Sequence, residues 1–195
     1  MSGSRRRGAA LETAIVDAVL RVVVRNGVPA VTMEAVAAEA GTSKPVLYRR
    51  WPDRGALLRH ALLRQATRSV PVADTGSYRG DMLAVLRGWA ALFTGPEGPA
   101  VAAIVRAMAD DPQLADAFRD GVIGWRKSEM ATLLERGIAR GDVRPDVPVD
   151  LLRELGQSVL WHRFLITGDP LDDDVLVRIV DEVLVPLARQ VTPGF

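Results

Sequence analysis

A short run of side chains suits nucleic-acid binding: Lys44, Tyr48, Arg49 and Arg50. Cationic side chains and tyrosine hydroxyls bind backbone phosphates, and lysine and arginine also donate hydrogen bonds to the major-groove edge of guanine. The positions fall on the outer surface of a short helix whose inner face carries Leu47 and Trp51. This pattern predicts a helix that presents cations to DNA.

Two short helices joined by a tight turn are predicted between residues 31 and 51. Thr32 is a suitable N-cap, and the apolar residues after it recur at i, i+3, i+4 and i+7, the spacing of one helical face. Gly41 is expected to end the first helix, because glycine adopts the left-handed conformation at little cost. Pro45 falls in the first turn of the second helix, where a missing N–H is tolerated. The pattern is that of a helix-turn-helix.

These residues resemble the TetR family of one-component transcriptional regulators. The family pattern is close to T-x-x-x-[VI]-A-x-x-[AL]-G-[VT]-S-x-x-x-[LI]-Y-x-x-[FW]-x-x-[KR]. The chain matches it with Thr32, Val36, Ala37, Ala40, Gly41, Thr42, Ser43, Leu47, Tyr48, Trp51 and Arg54. The flanking segments continue the match over residues 11–63, and the remainder is similar only in its helical layout. The alternative, a helical hairpin within a bundle, leaves the basic residues without a role.

The resemblance implies binding to double-stranded operator DNA through residues 32–54. The residues expected at the DNA are Thr32, Thr42, Ser43, Lys44, Pro45, Val46, Tyr48, Arg49, Arg50 and Arg54. Arg54, near the start of a fourth helix, is expected to reach a phosphate. Residues 1–9 contain three consecutive arginines and form either a solvated tail or a basic arm that follows phosphates or enters a minor groove.

The net charge of +1 conceals an uneven distribution along the 195 residues. Up to Arg68 there are twelve lysines and arginines against five acidic residues, or +7, and the remainder carries 13 against 19, or −6. The basic end is therefore the expected DNA-binding end. The absence of cysteine excludes disulfides, thiolate metal sites and cysteine nucleophiles.

Motifs for catalysis are missing from the sequence. Phosphate-binding, dinucleotide-binding, zinc-protease and serine-hydrolase patterns are all absent. The two histidines, His60 and His162, fall on helices that we assign to different domains, which argues against a metal or general-base cluster. We expect no catalytic residue, metal or cofactor, and no enzyme activity; turnover of a small molecule without DNA binding would support the opposite. With no apolar segment long enough to cross a membrane, a soluble, cytoplasmic protein is expected.

An all-α protein with two domains is predicted. Residues 1–68 form a three-helix DNA-binding domain that leads into the fourth helix, and residues 69–195 form a helical ligand-binding and dimerisation domain. The boundary is placed in the turn-rich segment 69–80. Helices are expected over residues 11–25, 81–93, 100–109, 114–140, 151–167 and 173–190.

Candidate effector residues are scattered over the second domain. Large apolar side chains there either line a ligand pocket, as the resemblance implies, or simply form the core. The candidates are Trp89, Phe93, Met108, Trp125, Glu129, Trp161 and His162. Glu129 either faces a cationic or hydroxylated ligand on the same stripe as Trp125 or is solvated.

The last two predicted helices carry apolar residues on more than one side, so they need cover on more than one side. We expect them to pack with a second copy as a four-helix bundle. The expected interface residues are Val159, Ile179, Val180, Val183, Leu184 and Leu187. The alternative is one large intramolecular core.

The resulting hypothesis is a homodimeric regulator that binds a palindromic operator and is released by an unknown small apolar or amphipathic effector. The resemblance implies repression as the default, although no residue distinguishes a repressor from an activator. The alternative is a constitutive DNA-binding protein that responds to no effector.

Overall fold

The computed structural model describes the backbone of residues 2–70 and 74–189, and side chains from residue 8 onward. Every regular element in these ranges is helical, and no strand occurs in them. The predicted all-α fold is therefore confirmed. Among these residues, no helix is both long and apolar enough to span a membrane.

The helices are α1 Ser2–Asn26, α2 Met33–Glu39, α3 Lys44–Tyr48, α4 Arg54–Ser69, α5 Tyr78–Thr94, α6 Gly98–Ala107, α7 Pro112–Phe118, α8 Gly124–Arg140, α9 Val149–His162, α10 Asp173–Arg178 and α11 Val185–Arg189. A 3-10 turn at Val28–Ala30 precedes α2. π-helical turns at Arg119–Ile123, Arg163–Thr167 and Ile179–Leu184 join α7 to α8, extend α9 and join α10 to α11.

Helix α1 is longer than the predicted 11–25, because its backbone is helical from Ser2. The segment 2–9, expected to be a solvated tail or a basic arm, therefore continues α1 toward the N-terminus. Arginine is a good helix former, which is compatible with this extension. The side chains of Arg5, Arg6 and Arg7, expected near DNA phosphates, lie outside the described residues.

Contacts between residues divide the chain into two compact units. The first unit comprises residues 1–68 and 96–125, and the second comprises 69–95 and 126–195. The sequence-based division placed 96–125 in the second domain, whereas α6 from that segment packs against α1. The first unit thus contains the helix-turn-helix together with α6 and α7.

The core of the second unit forms where α5 packs against α9, α10 and the Ile179–Leu184 turn. Gly156 permits a close approach: a Cβ atom there would lie 3.0 Å from Leu184 Cδ1 and 3.3 Å from Leu86 Cδ2. The apolar stripe of the last helices therefore faces α5 and α9 of its own chain.

This packing bears on part of the predicted dimer interface. Ile179, Val180 and Leu184 are 7%, 0% and 0% exposed in the single chain, so they offer little surface to a partner. The intramolecular core accounts for these three residues. Val159 and Val183 are exposed, and Leu187 is partly exposed, so these remain available to a second copy.

A buried carboxylate stabilises the second unit. Asp81 is fully buried and accepts hydrogen bonds from the Thr75 amide at 2.6 Å, the Thr75 hydroxyl at 2.8 Å and Arg140 Nη2 at 2.9 Å. Burial alone raises the pKa of Asp81, but the hydrogen bonds from Thr75 and Arg140 outweigh it, so the pKa lies below its ordinary value. Asp81 thus fixes the start of α5 to the end of α8.

We expect Asp81→Asn to lower the free energy of unfolding by about 2 kcal/mol, because a buried amide replaces the carboxylate that accepts from Thr75 and Arg140. Arg140 keeps Asp74 and Asp142 as ion-pair partners, so its own charge is not left unpaired. Asp173→Asn is the matched control, since Asp173 pairs with Arg87 on the surface and should cost less than about 1 kcal/mol. Denaturant unfolding at neutral pH measures both.

The pH dependence of the unfolding free energy provides a second test of the role of Asp81. Because the folded-state pKa of Asp81 is lowered, its stabilising contribution is complete above an ordinary aspartate pKa of about 4 and is lost as the pH falls through the lowered value. Asp81→Asn should remove this part of the acid sensitivity. Equal losses for the Asp81 and Asp173 variants would contradict this role.

Candidate nucleic-acid interface and effector site

The helix-turn-helix is built by local interactions that the sequence indicates. Thr32 caps α2, its hydroxyl accepting a hydrogen bond from the Ala35 amide at 3.1 Å. Gly41 ends the turn in the left-handed region with φ of 65°. On α3, Leu47 and Trp51 are 0% and 7% exposed, so they anchor the helix and fix which face points outward.

Helix α2 is held against α1 by two ion pairs. Glu39 accepts hydrogen bonds from Arg21 Nε at 2.5 Å and from Arg25 Nη1 at 2.9 Å. The hydrogen bond from Arg21, with the charges of both arginines, lowers the pKa of Glu39. These contacts hold the helix-turn-helix on its supporting helix.

The outer face of α3 and its C-terminal extension is exposed and basic. The exposed members of the expected DNA-binding set are Thr32, Ser43, Lys44, Pro45, Tyr48, Arg49 and Arg50, while Thr42 and Val46 are partly exposed. Lys44 pairs with Glu34, and its Nζ lies 5.6 Å from the centre of the Tyr48 ring. Arg49 and Arg50 form no ion pair with any described residue, so their charges are available to a phosphate or a base.

Arg54 behaves differently from the sequence-based expectation. Its Nε donates to the Val31 carbonyl at 2.8 Å, and its Nη2 donates to the Val28 carbonyl at 3.2 Å. Nη2 also pairs with Asp111 at 2.9 Å, and Asp111 caps α7 by accepting from the Leu114 amide. The guanidinium thus joins the turn before α2 to the start of α7, which indicates a positioning role rather than a phosphate contact.

This role predicts the behaviour of Arg54→Ala. Operator affinity should fall, because the turn that orients the helix-turn-helix loses its hydrogen bonds, but the slope of log affinity against log salt should stay unchanged. Loss of one phosphate contact would instead reduce that slope by about 0.9 per subunit. Titrations at several salt concentrations separate the two roles.

Asp111 supplies the matched comparison within this network. Asp111→Asn keeps a residue that caps helices well but removes the charge facing Arg54, whereas Asp111→Ala removes both. We expect Asp111→Asn to reproduce the Arg54→Ala effect in part. Full operator affinity in Asp111→Asn and Arg54→Ala would exclude the network from positioning α3.

Comparisons with known proteins address the same regions. Residues 15–61 match the model of the bacterial regulatory proteins of the tetR family, and residues 72–183 match that of the tetracyclin repressor-like C-terminal domain. The chain belongs to the TetR family. This TetR family protein is a transcriptional regulator and not an enzyme, as predicted.

Relatives and solved structures resemble this TetR family protein over nearly its full length. The DNA-binding transcriptional repressor TetR of Mycobacteroides abscessus is 35% identical, over 94% of this chain and 96% of the relative. The crystal structure of the TetR family transcription regulator SCO0332 is 31% identical with a TM-score of 0.69, covering 94% and 99% of the two chains. FadR from Bacillus subtilis, solved in complex with stearoyl-CoA, shares the fold at 17% identity and a TM-score of 0.63, covering 92% and 98%.

Three of the expected effector residues come together in the second unit of this TetR family protein. Trp161 lies 4.4 Å from Phe93 and 6.2 Å from Trp89 between ring centres, and Phe164 stacks on Phe93 at 4.6 Å. We call Trp89, Phe93, Trp161 and Phe164 the aromatic cluster. Trp89 and Phe93 are buried, whereas Trp161 and Phe164 are partly exposed.

The other expected effector residues do not join the aromatic cluster. Met108 and Trp125 belong to the first unit and are partly exposed. His162, the last residue of α9, is exposed in the single chain. Glu129 is partly exposed on α8. Among the described side chains, no group of three or more potential ligands is placed to hold a metal ion.

Proposed function

We propose that this protein is a homodimeric repressor that binds a palindromic operator and leaves it when a small apolar or amphipathic effector binds the second unit. The observation that carries the DNA-binding part is the exposed basic face of α3, held outward by buried Leu47 and Trp51. Repression is supported by the name of the Mycobacteroides abscessus relative, a DNA-binding transcriptional repressor.

Operator binding uses the helix-turn-helix of each subunit. Two copies of α3 enter successive major grooves on one face of the DNA, so the half-sites are about one helical turn, or a multiple of it, apart. Arg49 and Arg50 carry uncommitted positive charge toward the DNA, and Tyr48 offers a hydroxyl to a phosphate. Affinity therefore falls steeply as salt rises.

Effector binding is proposed for the second unit, around the aromatic cluster. Trp89 Nε1 is buried without a hydrogen-bond partner among the described residues, and so is Gln157 Nε2, four residues before Trp161 on α9. Both are N–H donors that a ligand oxygen would satisfy. FadR, which was solved with stearoyl-CoA, illustrates that this fold accommodates a ligand.

Coupling between effector and operator is proposed to run along one helical stretch. From Asp111, which pairs with Arg54 beside the helix-turn-helix, the chain continues through α7, the Arg119–Ile123 turn and α8 into the second unit. A shift of α8 on effector binding would move Asp111 and hence the turn before α2. Such coupling is typically 1–3 kcal/mol and reciprocal, so operator DNA weakens the effector by the same factor.

Selection of genomic fragments with the purified protein tests this function. We expect enriched fragments to share a palindromic element, bound by two subunits with a strong salt dependence. Adding candidate effectors drawn from the substrates of neighbouring genes should then release the fragment. Sequence-independent binding would contradict operator recognition, and an operator complex that no such compound weakens would favour a constitutive DNA-binding protein.

A further inference from the structure

Arg126, near the start of α8, is a buried cation without an acidic partner. The residue is 5% exposed, and no carboxylate of the described residues lies within ion-pair distance of it. Its Nη2 donates to Met130 Sδ at 2.8 Å, and its Nε is buried without a hydrogen-bond partner among the described residues. A thioether is a weak acceptor, so most of the hydrogen-bonding capacity of this guanidinium is unused.

Arg126 differs in this respect from the other buried ionic site of the second unit. At Asp81, three hydrogen bonds and the charge of Arg140 compensate for burial. Along α8, by contrast, Arg126 precedes a buried stripe formed by Met130, Leu133 and Leu134, which offers no oxygen. Burying a charge in such surroundings is costly unless a partner is supplied.

Arg126 nevertheless remains a cation at neutral pH. Burial lowers its pKa to about 10, and the charge of Glu129 offsets only part of that effect. The guanidinium therefore carries a positive charge in an apolar environment, with a planar fork of N–H donors that matches the oxygens of a carboxylate or phosphate.

Glu129 does not supply the missing partner in the structure. It lies three residues along the same helix and is partly exposed, but it forms neither a hydrogen bond nor an ion pair with Arg126. Its influence on Arg126 is only through space. The acceptor that would satisfy the guanidinium is therefore not among the described side chains.

We propose that Arg126 binds the anionic oxygen group, a carboxylate or a phosphate ester, of an amphipathic effector. This inference rests on the proposed effector response and narrows the effector to acidic molecules with an apolar body. It differs from one of the two sequence-based alternatives for Glu129, in which this carboxylate faces a cationic or hydroxylated ligand. The buried N–H donors of Trp89 and Gln157 independently favour a ligand rich in acceptor oxygens.

The test compares dodecanoate, dodecyl phosphate and dodecyltrimethylammonium, each below its micelle concentration, and dodecanol, below its solubility limit, by calorimetry on the full-length protein. We expect one or both anions to bind wild type, and Arg126→Met to weaken that binding by about 30-fold or more, because a buried charge pair is lost. Arg126→Lys should recover part of the affinity. Lys127→Met, which removes an exposed cation from the next position, is the matched control and should bind like wild type.

Thermal unfolding without ligand verifies that each variant folds. Arg126→Met should be at least as stable as wild type, because it removes an uncompensated buried charge and leaves an apolar side chain of similar length. If it is destabilised, and a double-mutant cycle with Glu129→Gln shows strong coupling, Glu129 is the partner in solution and the proposal is wrong.

Three results of the binding experiment would contradict the proposed anion site. The proposal is overturned if no anion binds, if wild type and Arg126→Met bind the anions equally, or if dodecanol binds as tightly as the anions. The preferred anion distinguishes a carboxylate from a phosphate effector. Operator release is measured separately: an anion that depends on Arg126 but leaves operator affinity unchanged supports this site and contradicts the proposed regulation.

Discussion

Arg49→Ala is expected to weaken operator binding by at least about 30-fold and to relax its sequence preference. Arg49 is exposed directly after α3 and has no ion-pair partner among the described residues, so its donors are free for a guanine edge or a phosphate. One specific base contact is worth about 1–3 kcal/mol, and a dimer loses two of them. Fluorescence anisotropy with the selected operator and a scrambled duplex measures both affinity and preference.

Tyr48→Phe is the informative neighbour, because it keeps the ring beside Lys44 and removes only the hydroxyl. We expect it to weaken the operator and the scrambled duplex by the same factor, as for a phosphate contact. Arg178→Ala controls for the loss of one positive charge, since Arg178 pairs with Glu182 in the second unit. If Arg49→Ala and Arg178→Ala weaken operator binding equally, α3 is not the helix that contacts the bases of the operator.

The second large effect concerns assembly: Val159→Asp should give folded monomers, whereas Leu184→Asp should unfold the chain. Large apolar residues remain exposed along α9 and its extension at Leu151, Val159 and Ile166, and on the last helical segment at Val183. Positions 151 and 159 are eight residues apart on α9, so they lie within about 80° of each other around that helix, and Ile166 lies on the π-helical turn that extends it. We propose this face as the dimer seam.

A charge at position 159 in each subunit would be desolvated at that seam, so the dimer dissociates while the 39% exposed site tolerates aspartate in a monomer. At the fully buried position 184, the same change should cost more than about 4 kcal/mol of folding free energy. Analytical ultracentrifugation and denaturant unfolding distinguish the two results. A Val159→Asp protein that stays dimeric places the seam elsewhere.

The elements that sequence analysis predicted well are those specified by near neighbours. Thr32, Gly41 and the spacing of Leu47 and Trp51 define the helix-turn-helix within some twenty residues, and the structure retains each of these features. Capping and turn chemistry act over three or four residues, so a single sequence displays them directly.

Features that depend on distant residues were not predictable in the same way. The partner of Arg54 is Asp111, 57 positions away, and no local pattern connects them. Apolar residues three and four positions apart in the last helices correctly indicated a buried face. Periodicity does not say whether that face is buried against the same chain or against a second copy. The structure shows that Ile179, Val180 and Leu184 are covered by the same chain.

On α8, periodicity alone did not fix which face is buried. Glu129 was expected either on the stripe of Trp125 or in solvent; in the structure it is partly exposed, and the buried face runs through Arg126, Met130 and Leu133. Neighbouring residues on a helix differ by about 100° in direction, so a rotation of one residue decides whether position 125 or position 126 is buried. An arginine four residues before a methionine in an apolar stripe was the available signal.

The assignment of residues 96–125 to the first unit has a consequence for protein engineering. Because the polypeptide passes between the units at residues 68–69, 95–96 and 125–126, the unit with the helix-turn-helix and the second unit are not consecutive segments of the sequence. A chimaera joined at residue 68 would separate Arg54 from Asp111 and α1 from α6. Exchange of operator specificity between homologues therefore requires transplanting two discontinuous segments together, or replacing only the outward residues of α3.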